Sequence, residues 1–93
     1  MKNDVKKLVK ISKALADETR YKIFKKIAHE GEIPCKEIVN VFHVSQPTIS
    51  HHLKVLVESG LVKARKDGAW NYFSVNKEAL QGYFEAIRSE IIV

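Results

Sequence analysis

The sequence predicts a single mainly α domain (α+β) with one β-hairpin, in the order ααααββα, over residues 1–93. Three observations predict it. Apolar residues recur every three or four positions in several segments, which is typical of amphipathic helices. Between residues 61 and 75 the side chains instead favour strands, and Asp67-Gly68 divides that stretch as hairpin turns do. A chain of 93 residues has room for one domain.

The first two helices are predicted on either side of a polar cap. Val5 and Leu8 belong to an apolar stripe that predicts a helix over about 4–15. Asp17 is predicted as the N-cap of the second helix, because its carboxylate can accept from free amides of the first turn. Gly31 is predicted to end that helix. The inward face of the second helix is predicted to be Tyr21, Phe24, Ile27 and Ala28.

A helix-turn-helix is predicted at about 33–59. A short third helix is predicted to start around Pro34, since proline suits the first helical position. Ser45 is predicted to cap the fourth helix, in which Pro47 needs no amide partner. A short helix, a brief turn and a longer helix form this motif. The side chains predicted to point inward are Ile38, Val39 and Val41 from the third helix and Ile49, Leu53, Leu56 and Val57 from the fourth.

A hairpin at about 61–75 follows directly, so the predicted architecture is a winged helix-turn-helix. The hairpin is the wing. Asn76 is predicted to cap a last helix over about 77–91. The apolar side of that helix is predicted to consist of Leu80, Tyr83, Phe84, Ile87 and Ile91.

The fourth helix presents a polar face that predicts contacts with DNA bases. At about 100° per residue, Leu53 and Leu56 fall near Ile49, and the opposite side is polar. Helix-turn-helix proteins read bases mainly with the N-terminal residues of this helix. A solvated polar face is the alternative. His51 points outward, whereas His52 flanks the apolar face and is expected to be packed or capping. The residues predicted to contact DNA are Ser45, Gln46, Thr48, Ser50, His51 and Lys54.

Basic charge surrounds this motif. Residues 1–26 carry nine Lys and Arg against three Asp and Glu, and residues 63–77 carry four against one. The formal net charge is +5, which favours an anionic partner such as nucleic acid. Lys63, Arg65 and Lys66 at the hairpin tip are predicted to contact a phosphate backbone or a narrow minor groove. Protection of an edge strand is the alternative role for these cations.

Composition excludes several other classes of protein. The single cysteine, Cys35, excludes an intrachain disulfide framework. No segment approaches the ~18 apolar residues of a membrane span, and the first residues lack a signal-peptide core. A cytoplasmic protein with no membrane partner is therefore expected. Paired carboxylates, a Gly-rich phosphate loop and a nucleophile-base arrangement are not found, so neither enzymatic activity nor a cofactor is expected.

The residues 11–76 resemble the ArsR/SmtB family of bacterial winged-helix repressors. ISKALADETRYKIFKKIA is similar to the family's opening "ALADxTRLxIL" helix pair, and SQPTISHHLKVLVESGLVKARKDGAWNYFSVN to its recognition helix and wing. The resemblance implies a homodimer that represses its own operon until an inducer, here unknown, releases the protein from the DNA. The expected operator is an imperfect inverted repeat of double-stranded DNA. It also implies dimerisation through the first and last helices. Both helices have apolar residues that a small core would leave exposed. The resemblance and these exposed faces together predict a dimer interface of Val5, Leu8, Leu80, Tyr83, Phe84 and Ile87.

The sequence departs from the family where many members bind metal. The family's Glu-Leu-Cys-Val-Cys-Asp-Leu box corresponds here to EIPCKEI, in which Cys35 is displaced from both ligand positions. The last helix has no histidine, and its carboxylates alone are poor ligands for zinc or soft metals. No family-type metal site is therefore predicted. Cys35 is a possible redox site, because a helix N-terminus and Lys36 would both lower its pKa; an inert, partly buried thiol is the alternative.

The charge of the middle of the chain also fits a function other than DNA binding. Residues 27–62 carry two basic against four acidic groups, so the middle of the chain is slightly acidic. That charge fits a winged-helix module that binds protein and not DNA. Such a module would show no salt-dependent DNA affinity.

Overall fold

The computed structural model describes residues 5–92. The predicted boundaries at residues 1–4 and 93, including the first residue of the predicted helix over 4–15, lie outside this range. Within it the observed order is ααβααββα, which confirms the predicted winged helix-turn-helix and adds one strand. The elements are α1 (Val5–Leu15), α2 (Glu18–Glu30), β1 (Glu32–Pro34), α3 (Cys35–Phe42), α4 (Gln46–Glu58), β2 (Val62–Asp67), β3 (Trp70–Val75) and α5 (Lys77–Ile91). No helix among these is both long and apolar enough to cross a membrane.

Strand β1 was not predicted. It pairs antiparallel with β3, with Ile33 opposite Phe73, and gives a sheet in the order β1-β3-β2. The predicted start of the third helix at Pro34 is wrong by one residue, because Pro34 is extended, at φ −78° and ψ 153°, and serves as the N-cap. The φ that proline fixes suits a strand end as well as a helix start, and an edge strand tolerates its missing amide.

The predicted helix caps are confirmed. Each of the three capping side chains accepts a hydrogen bond from an amide in the first turn of its helix, which satisfies a donor that has no partner within the helix. The pairs are Asp17 with Arg20 N at 2.9 Å, Ser45 with Thr48 N at 3.4 Å and Asn76 with Ala79 N at 3.2 Å.

The core lies where α2, α4 and the inner half of the sheet meet. Of the predicted inward face of α2, Phe24 and Ile27 are buried, but Tyr21 is 50% exposed and Ala28 is exposed. Ile23, which was not predicted, is fully buried. Val41 of α3, also predicted inward, is 48% exposed. The buried apolar residues are Ile11, Ala14, Ile23, Phe24, Ile27, Ile33, Ile38, Ile49, Leu53, Leu56, Leu61, Val62 and Phe73.

The wing extends away from this core. Strands β2 and β3 pair from Val62 opposite Val75 out to Asp67 opposite Trp70, so the loop between them is Gly68-Ala69. Gly68 has a φ of +60°, which favours glycine. Every residue from 63 to 71 is exposed. The wing is therefore held at its base and presents its tip to solvent.

Candidate nucleic-acid interface

The polar face of α4 lies at the surface. Ile49, Leu53 and Leu56 are at most 2% exposed and fix the rotation of the helix against the core. The opposite face is thereby presented to solvent along the whole first half of the helix. All six residues predicted to contact DNA from this helix and its cap are exposed: Ser45, Gln46, Thr48, Ser50, His51 and Lys54.

The hydroxyl of Thr48 is engaged in the cap of its own helix. Its Oγ1 lies 2.8 Å from Ser45 Oγ, and its amide donates to that same oxygen. The hydroxyl is held toward Ser45, and the methyl group of the exposed Thr48 is free to contact a partner. A methyl group suits the thymine methyl in the major groove.

The two adjacent histidines of α4 differ as predicted. His51 is exposed, whereas His52 is 8% exposed and lies with Nδ1 3.2 Å from Arg20 Nη1. Burial lowers the pKa of His52, and the positive charges of Arg20 and His51 lower it further, against an opposing effect of Asp17. His52 is therefore a packed, neutral histidine that joins α4 to α2.

Arg20 was missed in the sequence as a site residue. Its Nε donates to Ala14 O at 2.7 Å and its Nη2 to Lys13 O at 3.2 Å, so it caps the end of α1 while it reaches His52. No sequence pattern marks it, because its partners Lys13, Ala14 and His52 lie on other helices. One side chain thus connects α1, α2 and α4.

The His52 contact predicts a stability that falls in mild acid. An unfolded chain protonates this imidazole near its ordinary pKa of ~6.5, whereas the folded chain resists protonation. The unfolded state then binds more protons, so stability is lost as the pH falls below that value. We expect His52→Gln to reduce the loss seen by thermal melting between about pH 7 and about pH 5. His51→Gln should retain the loss; equal behaviour of the two variants would contradict this assignment.

Arg65 of the wing forms an ion pair with a residue of another strand of the same chain. Its Nε and Nη2 donate to the two carboxylate oxygens of Glu32 at 3.1 and 2.8 Å, and its guanidinium lies 4.7 Å from the ring centroid of Tyr72. The hydrogen bond from Arg65 lowers the pKa of the Glu32 carboxyl. Arg65 therefore fixes β2 to β1 across β3. Lys63 and Lys66 are exposed and have no acidic partner within residues 5–92.

Cys35 is the first residue of α3 and is half-buried. The expected lowering of its pKa is not found. Burial raises the pKa of the Cys35 thiol, and a hydrogen bond with Ser50 opposes that effect only in part. Among residues 5–92, no three His, Cys, Asp or Glu side chains lie close enough together to hold a metal ion.

The predicted dimer-interface residues lie on α1 and α5, two helices that contact each other. No residue of α5 is fully buried, although Leu80 and Tyr83 pack against the core and Tyr83 Oη lies 2.7 Å from Ser12 Oγ of α1. Val5 is 60% exposed and Phe84 57%. Leu8 and Ile87 are half-buried beside them.

Comparison with known proteins identifies the family. A profile of a helix-turn-helix domain family matches residues 15–65. A helix-turn-helix-type transcriptional regulator of Methanocaldococcus jannaschii, itself uncharacterised, is 44% identical over 69 residues, covering 74% of this chain and 78% of the relative. The arsenical resistance operon repressor of Staphylococcus aureus is 39% identical over 75 residues, covering 81% of this chain and 71% of the relative.

A solved structure shares the fold. It is a homodimeric winged helix-turn-helix DNA-binding domain from Mycobacterium bovis, named as a possible ArsR-family transcriptional regulator. The TM-score is 0.77 at 24% identity, covering 96% of this chain and 84% of that one. The family profile spans the helix-turn-helix, and both relatives match most of the chain. This chain therefore belongs to the ArsR family of helix-turn-helix transcriptional regulators.

Proposed function

We propose that this protein is a homodimeric repressor that binds a specific double-stranded operator upstream of its own gene and is released by an inducer. The observation that carries the proposal is the exposed, polar first half of α4, held in place by a buried apolar stripe. The exposed lysines of the wing support it. A protein of this kind works beside the chromosome, so the proposal places it in the cytoplasm.

The proposed dimer forms through α1 and α5. The apolar side chains exposed there, led by Val5 and Phe84, are the part of the molecule that a second copy would cover. A chain this short has a small core, and a shared interface adds burial. The Mycobacterium bovis domain of the same fold is homodimeric, which supports a dimer without indicating its interface.

Selection of duplexes from a random library tests the proposal. Two recognition helices related by a two-fold axis enter successive major grooves about 34 Å apart, so the expected product is an imperfect inverted repeat with half-sites one turn apart. Recovery of unrelated sequences with no shared half-site would contradict a specific operator.

Thr48 is expected to read a base through its methyl group. Thr48→Ser keeps the hydroxyl of the cap but removes the methyl, so it should lose about 1 kcal/mol of preference for one thymine position. Thr48→Val keeps the methyl and should retain that preference. Titration of both variants against the operator and a singly substituted operator measures this difference. Loss of that preference in Thr48→Val, with Thr48→Ser retaining it, would assign the contact to the hydroxyl and contradict the methyl contact.

The lysine at the wing tip is expected to contribute a phosphate contact. Lys66→Ala should weaken binding to specific and scrambled duplexes alike and reduce the slope of log K against log salt by about 0.9. Lys25→Ala, the same change on the exposed surface of α2, is the control and should leave the slope unchanged. Arg65→Ala should also weaken binding to every duplex, but through release of the wing from Glu32. An unchanged slope for Lys66→Ala would remove that residue from the interface.

A further inference from the structure

A groove of about 720 Å³ lies between α3, α4 and the start of β3. Its volume is within the range of ~300–1,000 Å³ that small-molecule sites occupy. It is separate from the α1–α5 surface proposed for dimerisation.

The floor of the groove is apolar. Leu53 is 2% and Phe73 9% exposed, and Val39 and Val57 pack partly against the same core. A sugar-phosphate backbone has no large apolar body to cover such a floor. A flat hydrocarbon ring can cover this floor, and its burial there is favourable in proportion to the apolar area removed from water.

The mouth of the groove combines one aromatic ring with positive charge. Trp70 is 46% exposed, and Lys36 Nζ lies 5.5 Å from its ring centroid. Lys36 and Lys54 have no acidic partner within residues 5–92. Glu58 is the one acidic residue among those that line the groove, so its rim is cationic on balance.

We propose that this groove binds a small planar aromatic anion, with its ring on the apolar floor beside Trp70 and its carboxylate at the ammonium group of Lys36. Such a ligand opposes DNA binding, because Gln46, Ser50 and Lys54 line the same groove. That second statement depends on the function proposed above, whereas binding of the anion itself does not.

Trp70 provides a direct reporter of binding, because it is the only tryptophan in the sequence. Its indole N–H gives a single side-chain resonance of that type in a ¹H–¹⁵N spectrum. Titration of the DNA-free protein with naphthoate should shift this resonance and the amides of Asn40 and Ser50 saturably. Naphthamide has the same ring without the charge and should bind about tenfold more weakly. No shift with naphthoate, or shifts spread over the whole surface, would overturn the proposal.

Two variants separate charge from shape. Lys36→Gln should remove most of the preference for naphthoate over naphthamide, whereas Lys25→Gln on the surface of α2 should leave it unchanged. Val39→Phe fills the groove and should abolish binding of both ligands, whereas Val41→Phe, on the exposed side of the same helix, should not. Equal behaviour within the lysine pair would contradict the charge contact, and this holds even if the Phe variant fails to fold.

Competition with DNA tests the regulatory part. Saturating naphthoate should weaken binding to a selected operator at least tenfold, and Lys36→Gln should reduce this effect. A naphthoate complex that binds the operator as tightly as the free protein would overturn the competition. Failure of the free protein to bind any duplex would instead contradict the proposed function. The ligand site would still be supported by the shifts in the ¹H–¹⁵N spectra. Indole shifts on adding DNA, with none on adding naphthoate, would assign the groove to DNA and overturn the ligand proposal.

Discussion

A single charge placed on the exposed apolar face of α5 is expected to separate the dimer and remove most of its DNA affinity. Phe84 is 57% exposed and contributes nothing to the core of one chain, so Phe84→Glu should fold. In the proposed dimer the same carboxylate is buried without a partner, which costs several kcal/mol. Sedimentation should then show a monomer at micromolar concentration. Operator affinity should fall by about 10²-fold or more, because the two half-sites are no longer bound by one linked molecule.

Ser89→Glu is the matched control. It adds the same group to the same helix about 140° from Phe84, where the surface is exposed. It should remain a dimer and bind the operator nearly as the unaltered protein does. A Phe84→Glu variant that stays dimeric and keeps its affinity would place the interface elsewhere on the molecule.

Loss of the Arg20 side chain is expected to be the most destabilising change at a residue outside the apolar core. Arg20→Met removes two hydrogen bonds to carbonyls at the end of α1 and the donor that faces His52. Loss of charged hydrogen bonds of this kind costs about 2–3 kcal/mol in total when the partners are only partly exposed. Urea unfolding at one fixed protein concentration measures the change, since the stability of a dimer depends on concentration.

Arg20→Lys separates geometry from charge. Lysine retains the positive charge but lacks the planar guanidinium with which Arg20 reaches three partners. Arg20→Lys should therefore recover less than half of the stability lost in Arg20→Met. Operator affinity should fall in both variants, because the contact with His52 helps to hold α4 in its orientation. Stability within about 0.5 kcal/mol of the original protein in Arg20→Met would show that the network has no net effect.

The features that could be predicted from the sequence are those that depend on local chemistry. Asp17, Ser45 and Asn76 each have an oxygen that accepts from a first-turn amide, so helix starts follow from residue type and position. The spacing of Ile49 and Leu53 sets the rotation of α4, and the outward residues follow from it. The pattern of residues 61–75 is long enough to distinguish strands from helix.

Features that depend on distant contacts could not be predicted in the same way. Strand β1 has three residues, and it exists because β3 offers an edge 40 residues later in the chain, where Ile33 meets Phe73. The choice of Ile23 over Tyr21 as the inward residue of α2 depends on what packs opposite. Arg20 and Arg65 show the same limit, since their acceptors lie on other elements and neither contact leaves a sequence pattern. The groove beside Trp70 is likewise formed only when α3, α4 and β3 come together.

The most direct test of sequence-specific DNA binding is a fluorescence titration with a duplex from upstream of the protein's own gene. A scrambled duplex of equal length serves as the reference, and both are measured at two salt concentrations. We expect binding that prefers the upstream duplex by at least ~10³-fold and weakens as salt rises. Equally weak binding to both duplexes would contradict an operator at that place. The absence of binding to either duplex at low salt would contradict the DNA-binding function and favour a module that binds protein.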